Sequence, residues 1–115
     1  MVPGLYNYDN QYRGDTLDSI QFTILDKVTR DPINLTGATI KCQFRKPFNG
    51  ATIKEITSSD GITIINASGG IFKIDEFLIT WDAGAYLYDI EVTFSTGVVK
   101  TYVKGSINII SDTTI

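Results

Sequence analysis

The chain has 115 residues, enough for one domain that buries roughly two-thirds of its unfolded-chain surface in a single core. Ten basic and thirteen acidic side chains give a net charge of -3 with no block of either sign, which excludes the clustered basic face that a nucleic-acid partner requires. There is no histidine and a single cysteine, so histidine-based triads, histidine-bearing zinc sites and an intrachain disulfide are excluded as well.

Residues 1–12 are rich in tyrosine, asparagine and glycine, and Leu5, Tyr6, Tyr8 and Tyr12 stand among polar neighbours. The segment lacks the basic region and apolar stretch of a signal peptide, and it reads as an edge strand or as an arm that lies on a partner. Arg13-Gly14-Asp15 reads as a turn before a strand. Service as an adhesion motif would require an exposed loop tip in a eukaryotic extracellular setting. Residues 18–25 place Ile20, Phe22 and Ile24 on one face of a strand, and Asp31-Pro32 closes the turn region that follows. Residues 39–46 give the cleanest alternation of the first half, Ile40, Cys42 and Phe44 against Lys41, Gln43 and Arg45. Cys42 is therefore expected in the core as a small apolar filler. Asn49-Gly50 and Asp60-Gly61 bracket a strand at 52–57. Strands at 62–65 and 71–74 flank Ser68-Gly69-Gly70, and 77–81 is short and apolar. Any helix is expected to be no longer than a turn, near 75–77. No apolar run approaches the roughly 18 residues of a membrane span, so a soluble chain without a membrane partner is expected.

The longest periodic stretch, 83–108, predicts a β-hairpin turning at Ser95-Thr96-Gly97-Val98. Tyr86, Tyr88, Ile90, Val92 and Phe94 alternate with Leu87, Asp89, Glu91 and Thr93 on the way out; Val99, Thr101, Val103, Gly105 and Ile107 alternate on the return. Pairing Ser95 with Val98 sets Phe94 opposite Val99, Ile90 opposite Val103 and Tyr88 opposite Gly105. The other face then pairs Asp89 with Lys104 and Thr93 with Lys100. A slip by one residue would bring Tyr102 and two lysines into the apolar row. Gly105 leaves room for the Tyr88 ring. Short β-branched segments with turn signals about every ten residues predict an all-β, immunoglobulin-like β-sandwich of about seven to nine antiparallel strands. The expected division is an arm or edge strand at 1–12, one sandwich domain at 13–112 and a frayed C-terminus at 113–115.

No catalytic residue, cofactor site or metal site is expected, and the chain does not read as an enzyme. Asp89 and Glu91 share a face, but lysines on the facing strand give them a structural use. The loop Ser58-Ser59-Asp60-Gly61 lacks the several spaced oxygen ligands that calcium needs. Trp81 and six tyrosines suit either a sugar-stacking platform or core and interface packing. Asn34-Leu35-Thr36 and Asn66-Ala67-Ser68 fit glycosylation acceptors, which matter only in a secreted eukaryotic protein.

Taken together, Arg13-Gly14-Asp15-Thr16, Asn34-Leu35-Thr36-Gly37-Ala38, Ala83-Gly84-Ala85-Tyr86-Leu87-Tyr88-Asp89-Ile90 and Gly105-Ser106-Ile107 carry a resemblance. From about Arg13 to Asp112 the chain resembles the N-terminal domain of bacteriophage baseplate upper proteins and related small immunoglobulin-like phage virion structural modules. The resemblance implies a β-sandwich that docks peripheral or receptor-binding parts onto a tail or capsid, without catalysis. Baseplate upper proteins continue past this domain into helical and receptor-facing regions, whereas this chain ends at Ile115. The expectation is therefore a stand-alone adaptor or decoration subunit, made in the bacterial host cytoplasm and carried in the virion. Its partners would be other virion subunits or further copies of itself, with no cofactor. The candidate interface is Leu5, Tyr6, Tyr8, Tyr12 and Arg13, because tyrosine is enriched among interface anchors. The alternative is a carbohydrate-binding or host-adhesion module, with polysaccharide as the partner. An aromatic row exposed on a sheet face or loop end would favour that alternative. Aromatics buried in the core, with the arm crossing to a neighbour, would favour the structural role.

Overall fold

The chain forms strands wherever the alternation is strong, and short strands elsewhere. The structure, a computed structural model, describes residues 4–47 and 50–111. In chain order the strands are β1 (Gly4–Leu5), β2 (Gln11–Tyr12), β3 (Thr16–Leu17), β4 (Ile20–Thr23), β5 (Thr39–Arg45) and β6 (Thr52–Thr57). They continue as β7 (Ile62–Asn66), β8 (Ile71–Ile74), β9 (Phe77–Leu78), β10 (Gly84–Thr93) and β11 (Val99–Ile110). Residues 1–3 of the arm, Asn49 of the expected Asn49-Gly50 turn, and the expected frayed segment 113–115 lie outside the described residues. Among the described residues no helix forms. At 75–77 the Asp75 amide is drawn to the Gly61 carbonyl at 2.8 Å and Phe77 opens β9, so no helical turn closes there.

The strands build an immunoglobulin-like β-sandwich. The front sheet has the order β1-β11-β10-β5-β6, with β2 also on β11; the back sheet is β4-β8-β7, and β3 pairs with β9. The long pairings are antiparallel, but the two arm strands pair with β11 in parallel, which the sequence reading did not anticipate. The short apolar stretch 77–81 is strand over two residues, because the Ile79 backbone turns to bond Gly14 and Asp15. Between the sheets lie Ile40, Cys42, Phe44, Ile90, Val92, Ile107 and Ile109 from the front and Phe72 and Ile74 from the back. Each large apolar side chain buried this way contributes about 1.5–3 kcal/mol. Phe44 sits at the centre, 4.9 Å from Trp81, 5.6 Å from Tyr88 and 6.1 Å from Phe77 between ring centroids.

The β10–β11 hairpin keeps the expected register over most of its length and departs from it near the turn. Tyr88 is opposite Gly105, Asp89 opposite Lys104, and Ile90 opposite Val103, as expected. Beyond Ile90 the register shifts by one, so Thr93 meets Val99 rather than Lys100, and the Phe94 amide bonds the Val98 carbonyl at 2.8 Å. The cause is a longer connection: the Gly97 amide returns to the Phe94 carbonyl at 2.8 Å, with Gly97 at φ +91, which makes a three-residue loop. A bulge at Tyr102 then absorbs the difference and leaves Tyr102 and Val103 buried side by side. The bulge puts the Tyr102 ring against Phe94, with centroids 6.3 Å apart, and leaves Val99 exposed. Burying a phenol ring in place of a valine side chain favours the bulged arrangement.

Entry into β10 is pinned by Tyr86, whose hydroxyl donates to the Asp82 carbonyl at 2.6 Å. That is the tyrosine-corner arrangement of immunoglobulin-type sandwiches. Two residues on, where antibody domains carry a half-cystine, stands Tyr88, and an aromatic cluster replaces the disulfide. Gly105 does face Tyr88, but a tighter constraint comes from the arm: a Cβ there would lie 1.7 Å from the Tyr6 carbonyl oxygen and 3.0 Å from the Tyr88 ring.

Candidate interaction surfaces

The arm folds back on its own sandwich. Leu5 in β1 pairs with Lys104, the Tyr6 amide donates to the Lys104 carbonyl at 3.0 Å, and the Tyr8 amide donates to the Ser106 carbonyl at 2.9 Å. Asn7 Oδ1 accepts both the Ser106 amide and its hydroxyl at 3.1 Å. The Tyr88 hydroxyl donates to the Tyr6 carbonyl at 2.5 Å, so the arm is tied to β10 as well. Tyr8 enters the core, 5.2 Å from the Tyr88 ring, and its hydroxyl is buried with no hydrogen-bond partner among the described residues. Of the candidate interface residues, then, Tyr8 is occupied by the chain's own aromatic cluster. Tyr6 is partly covered by Tyr8 and by Phe22 of β4. Tyr12 and Arg13 remain exposed.

Arg13, Gly14 and Asp15 form a turn, as the sequence implies, closed by the Asp15 amide on the Tyr12 carbonyl at 3.1 Å with Gly14 at φ +93. The turn is bonded into the body of the protein through Gly14 and Ile79, not displayed on a free loop. Arg13 borders a depression of about 420 Å³ with Leu78, Thr80 and Ser111. Leu78, in the short apolar stretch 77–81, is 56% exposed. It alternates with the buried Ile79 and faces out because β9 is a two-residue strand that, among the described residues, pairs only with β3. This end of the sandwich thus joins Tyr12 and Arg13 to an apolar side chain that the sequence did not single out.

A second, larger groove of about 590 Å³ crosses the outer face of the front sheet, bounded by Arg45 and Lys46 on one side and Asn7 and Lys104 on the other. Half-exposed Leu87 lines it, and its outward position was already visible in the alternation of β10. Asp89 and Glu91 have structural partners here, but on β5 and not on β11: Arg45 Nη1 lies 3.1 Å from Asp89 Oδ2 and Lys41 Nζ lies 3.7 Å from Glu91 Oε1. Arg45 also donates to Gln43, which holds the guanidinium in place. At the opposite end from Arg13, the 25–32 loop is capped by Asp26, whose Oδ1 accepts the Val28 and Thr29 amides at 2.8 and 3.0 Å. Those bonds hold its carboxyl below the ordinary aspartate value.

Burial favours the neutral forms of the buried titratable groups. Burial raises the Cys42 thiol far above its ordinary value, with the nearby Asp89 carboxylate adding to the shift, and Cys42 is fully enclosed. Burial likewise raises Tyr8 and Tyr88, each with a smaller contribution from Cys42. Both glycosylation-type asparagines close their own turns: Asn34 Oδ1 accepts the Thr36 amide at 3.0 Å, and Asn66 Oδ1 accepts the Gly69 amide at 3.1 Å. Among the described residues no three of His, Cys, Asp and Glu are gathered as metal ligands would be, and no helix is long and apolar enough to cross a membrane.

No family model and no curated protein matches the chain. Among solved structures it is similar to CopC from Methylosinus trichosporium OB3b, at a TM-score of 0.50 and 10% identity, covering 92% of this chain and 88% of that one. It is also similar to extracellular domains 3–5 of Drosophila OTK, at a TM-score of 0.38 and 17% identity, covering 96% of this chain and 34% of that one. The likeness to CopC is one of fold, a β-sandwich of the same extent.

Proposed function

We propose that the chain is a non-enzymatic structural subunit of a bacteriophage virion, an adaptor or decoration protein that works through protein–protein contacts. The observation that carries this reading over sugar binding is the use made of the aromatic residues. Trp81, Tyr86, Tyr88, Tyr102, Phe44 and Phe72 are buried, and among the described aromatic residues only Tyr6 and Tyr12 are exposed. A sugar platform needs aromatic faces open to solvent, whereas a virion subunit needs a rigid core and local anchors. The phage assignment itself rests on the sequence resemblance between Arg13 and Asp112. The attachment surface is the end of the sandwich where Tyr12, Arg13 and Leu78 are exposed. There an aromatic, a guanidinium and an aliphatic side chain supply the usual composition of an interface anchor.

The test is a reconstitution assay. Purified phage particles from the source host are examined for the chain by mass spectrometry, and particles lacking it are offered the purified wild-type protein or the double variant Tyr12→Ala/Arg13→Ala. Wild type should join the particles and the double variant should lose most of that binding while keeping its thermal stability. Absence of the chain from particles, or micromolar binding to host cell-wall polysaccharide instead, would replace this reading with the adhesion role.

A further inference from the structure

Among the described residues the front and back sheets have four lateral edges, and three are guarded. The arm covers β11 through Tyr6 and Tyr8. β4 is a four-residue strand with the Tyr6 ring 5.9 Å from its Phe22. β6 carries Lys54 and Glu55, and Lys54 turns inward so that its ammonium lies 4.9 Å from the Phe77 ring centre. An inward-pointing lysine on an edge strand is a known guard against edge-to-edge pairing. β7, Ile-Thr-Ile-Ile-Asn, has no charge and no proline, and it is built from strong strand formers.

The hydrogen-bonding phase shows which groups of β7 are open. The Asp75 amide bonds the Gly61 carbonyl at 2.8 Å, so Gly61 and, two residues on, Thr63 face β8. On the far side of β8 the Ile24 amide bonds the Gly70 carbonyl at 2.9 Å, which agrees with that alternation. Ile62 and Ile64 therefore turn their N–H and C=O groups outward, where β7 is the last strand of its sheet.

The geometry points to a second copy of this chain as the strand that fills this edge, with two β7 strands antiparallel about a two-fold axis at Thr63. In that register Ile62 of each copy faces Ile64 of the other, so every outward residue meets an outward residue and each such pair exchanges both of its N–H···O bonds. Thr63 faces its own symmetry mate at a non-hydrogen-bonded position. Ile65, 49% exposed, comes opposite Gly61 in that register. Under two-fold symmetry a charged strand centre risks meeting its own charge; β7 carries none, which is what favours a copy of itself as occupant. The bulge between Ile64 and Asn66 ends the match, so the pairing is short and the dimer forms reversibly with concentration. This inference does not depend on the virion role.

Sedimentation equilibrium of the full chain tests it. The weight-average mass should rise with concentration from 12.7 kDa toward about twice that value, and Ile65→Lys should remove the rise. Thr63→Cys should cross-link into a disulfide dimer under mild oxidation, because Cβ atoms of facing strand residues lie about 4.5–5.5 Å apart, close to disulfide reach. Thr23→Cys, on β4 of the same sheet, is the control and should not cross-link at a comparable rate. A monomer at every concentration with no preferential cross-linking of Thr63→Cys would overturn the proposal. So would a dimer that Ile65→Lys leaves unchanged, which would assign the pairing to another surface.

Discussion

Gly105→Ala should detach the arm, and its cost can be worked from the contacts at that point. The added Cβ would sit 1.7 Å from the Tyr6 carbonyl oxygen and 2.6 Å from the Tyr6 carbonyl carbon, backbone atoms that cannot rotate away. Relief requires the arm to lift, which gives up the Tyr6–Lys104 and Tyr8–Ser106 backbone bonds. Those bonds are roughly offset by the chain entropy that the freed residues regain, about 1–2 kcal/mol each. Two losses are not offset. The Tyr88 hydroxyl loses its acceptor at 2.5 Å inside the core, worth about 1–3 kcal/mol, and the Tyr8 ring leaves its place beside Tyr88 and Phe44, worth about 1.5–3 kcal/mol. The expected destabilisation is about 2.5–6 kcal/mol, a large part of the ~5–15 kcal/mol available to a domain. Urea unfolding measures it, and hydrogen exchange should show the Tyr6 and Tyr8 amides losing protection in the variant. In a Tyr88→Phe background the same glycine substitution should cost less by about 1–3 kcal/mol, since no hydroxyl is left stranded. A loss below about 1 kcal/mol with the arm amides still protected would refute the reasoning.

Three further outcomes follow from the same structure. Ile90→Ala should cost about 2–5 kcal/mol by cavity formation, since Ile90 is fully buried between Val103 and Cys42 on its neighbouring strands; unchanged stability in urea would contradict this. Thiol reagents should modify Cys42 only at the rate of unfolding, so rapid labelling of the native protein would show an opening absent from the structure. Burial raises Cys42, Tyr8 and Tyr88, so the folded state keeps protons that the unfolded chain loses above about 8.5 for cysteine and 10 for tyrosine. Stability should be whole below those values and fall as pH rises beyond them, by about 1.4 kcal/mol per pH unit for each group. Cys42→Ala should flatten the first part of that decline, and a profile level to strongly alkaline pH would count against the burial of all three.

Most of the sandwich was legible because a strand with one buried face must alternate. Ile40, Cys42 and Phe44 in β5, and Tyr86, Tyr88, Ile90 and Val92 in β10, are buried as their spacing requires. The register of the long hairpin at Ile90 and Val103 followed from the same rule, because a slip there would have put lysines inside. Alternation says nothing about a bulge, however. The one at Tyr102 depends on the length of the Ser95–Gly97 loop and on where a phenol ring can reach Phe94, a contact across the hairpin. The arm shows the same limit for the candidate interface. Tyr6, Tyr8 and Tyr12 look alike in sequence, apolar rings among polar neighbours. Only the parallel docking of the arm on β11 separates them, sending Tyr8 into the core and leaving Tyr12 outside beside Arg13. The exposure of Leu78 is likewise tertiary, since among the described residues β9 pairs with β3 alone. Local periodicity reports which face of a strand is apolar; which neighbour covers that face depends on chain segments nearly a hundred residues apart, as Asn7 and Ser106 are, and no local pattern encodes that meeting.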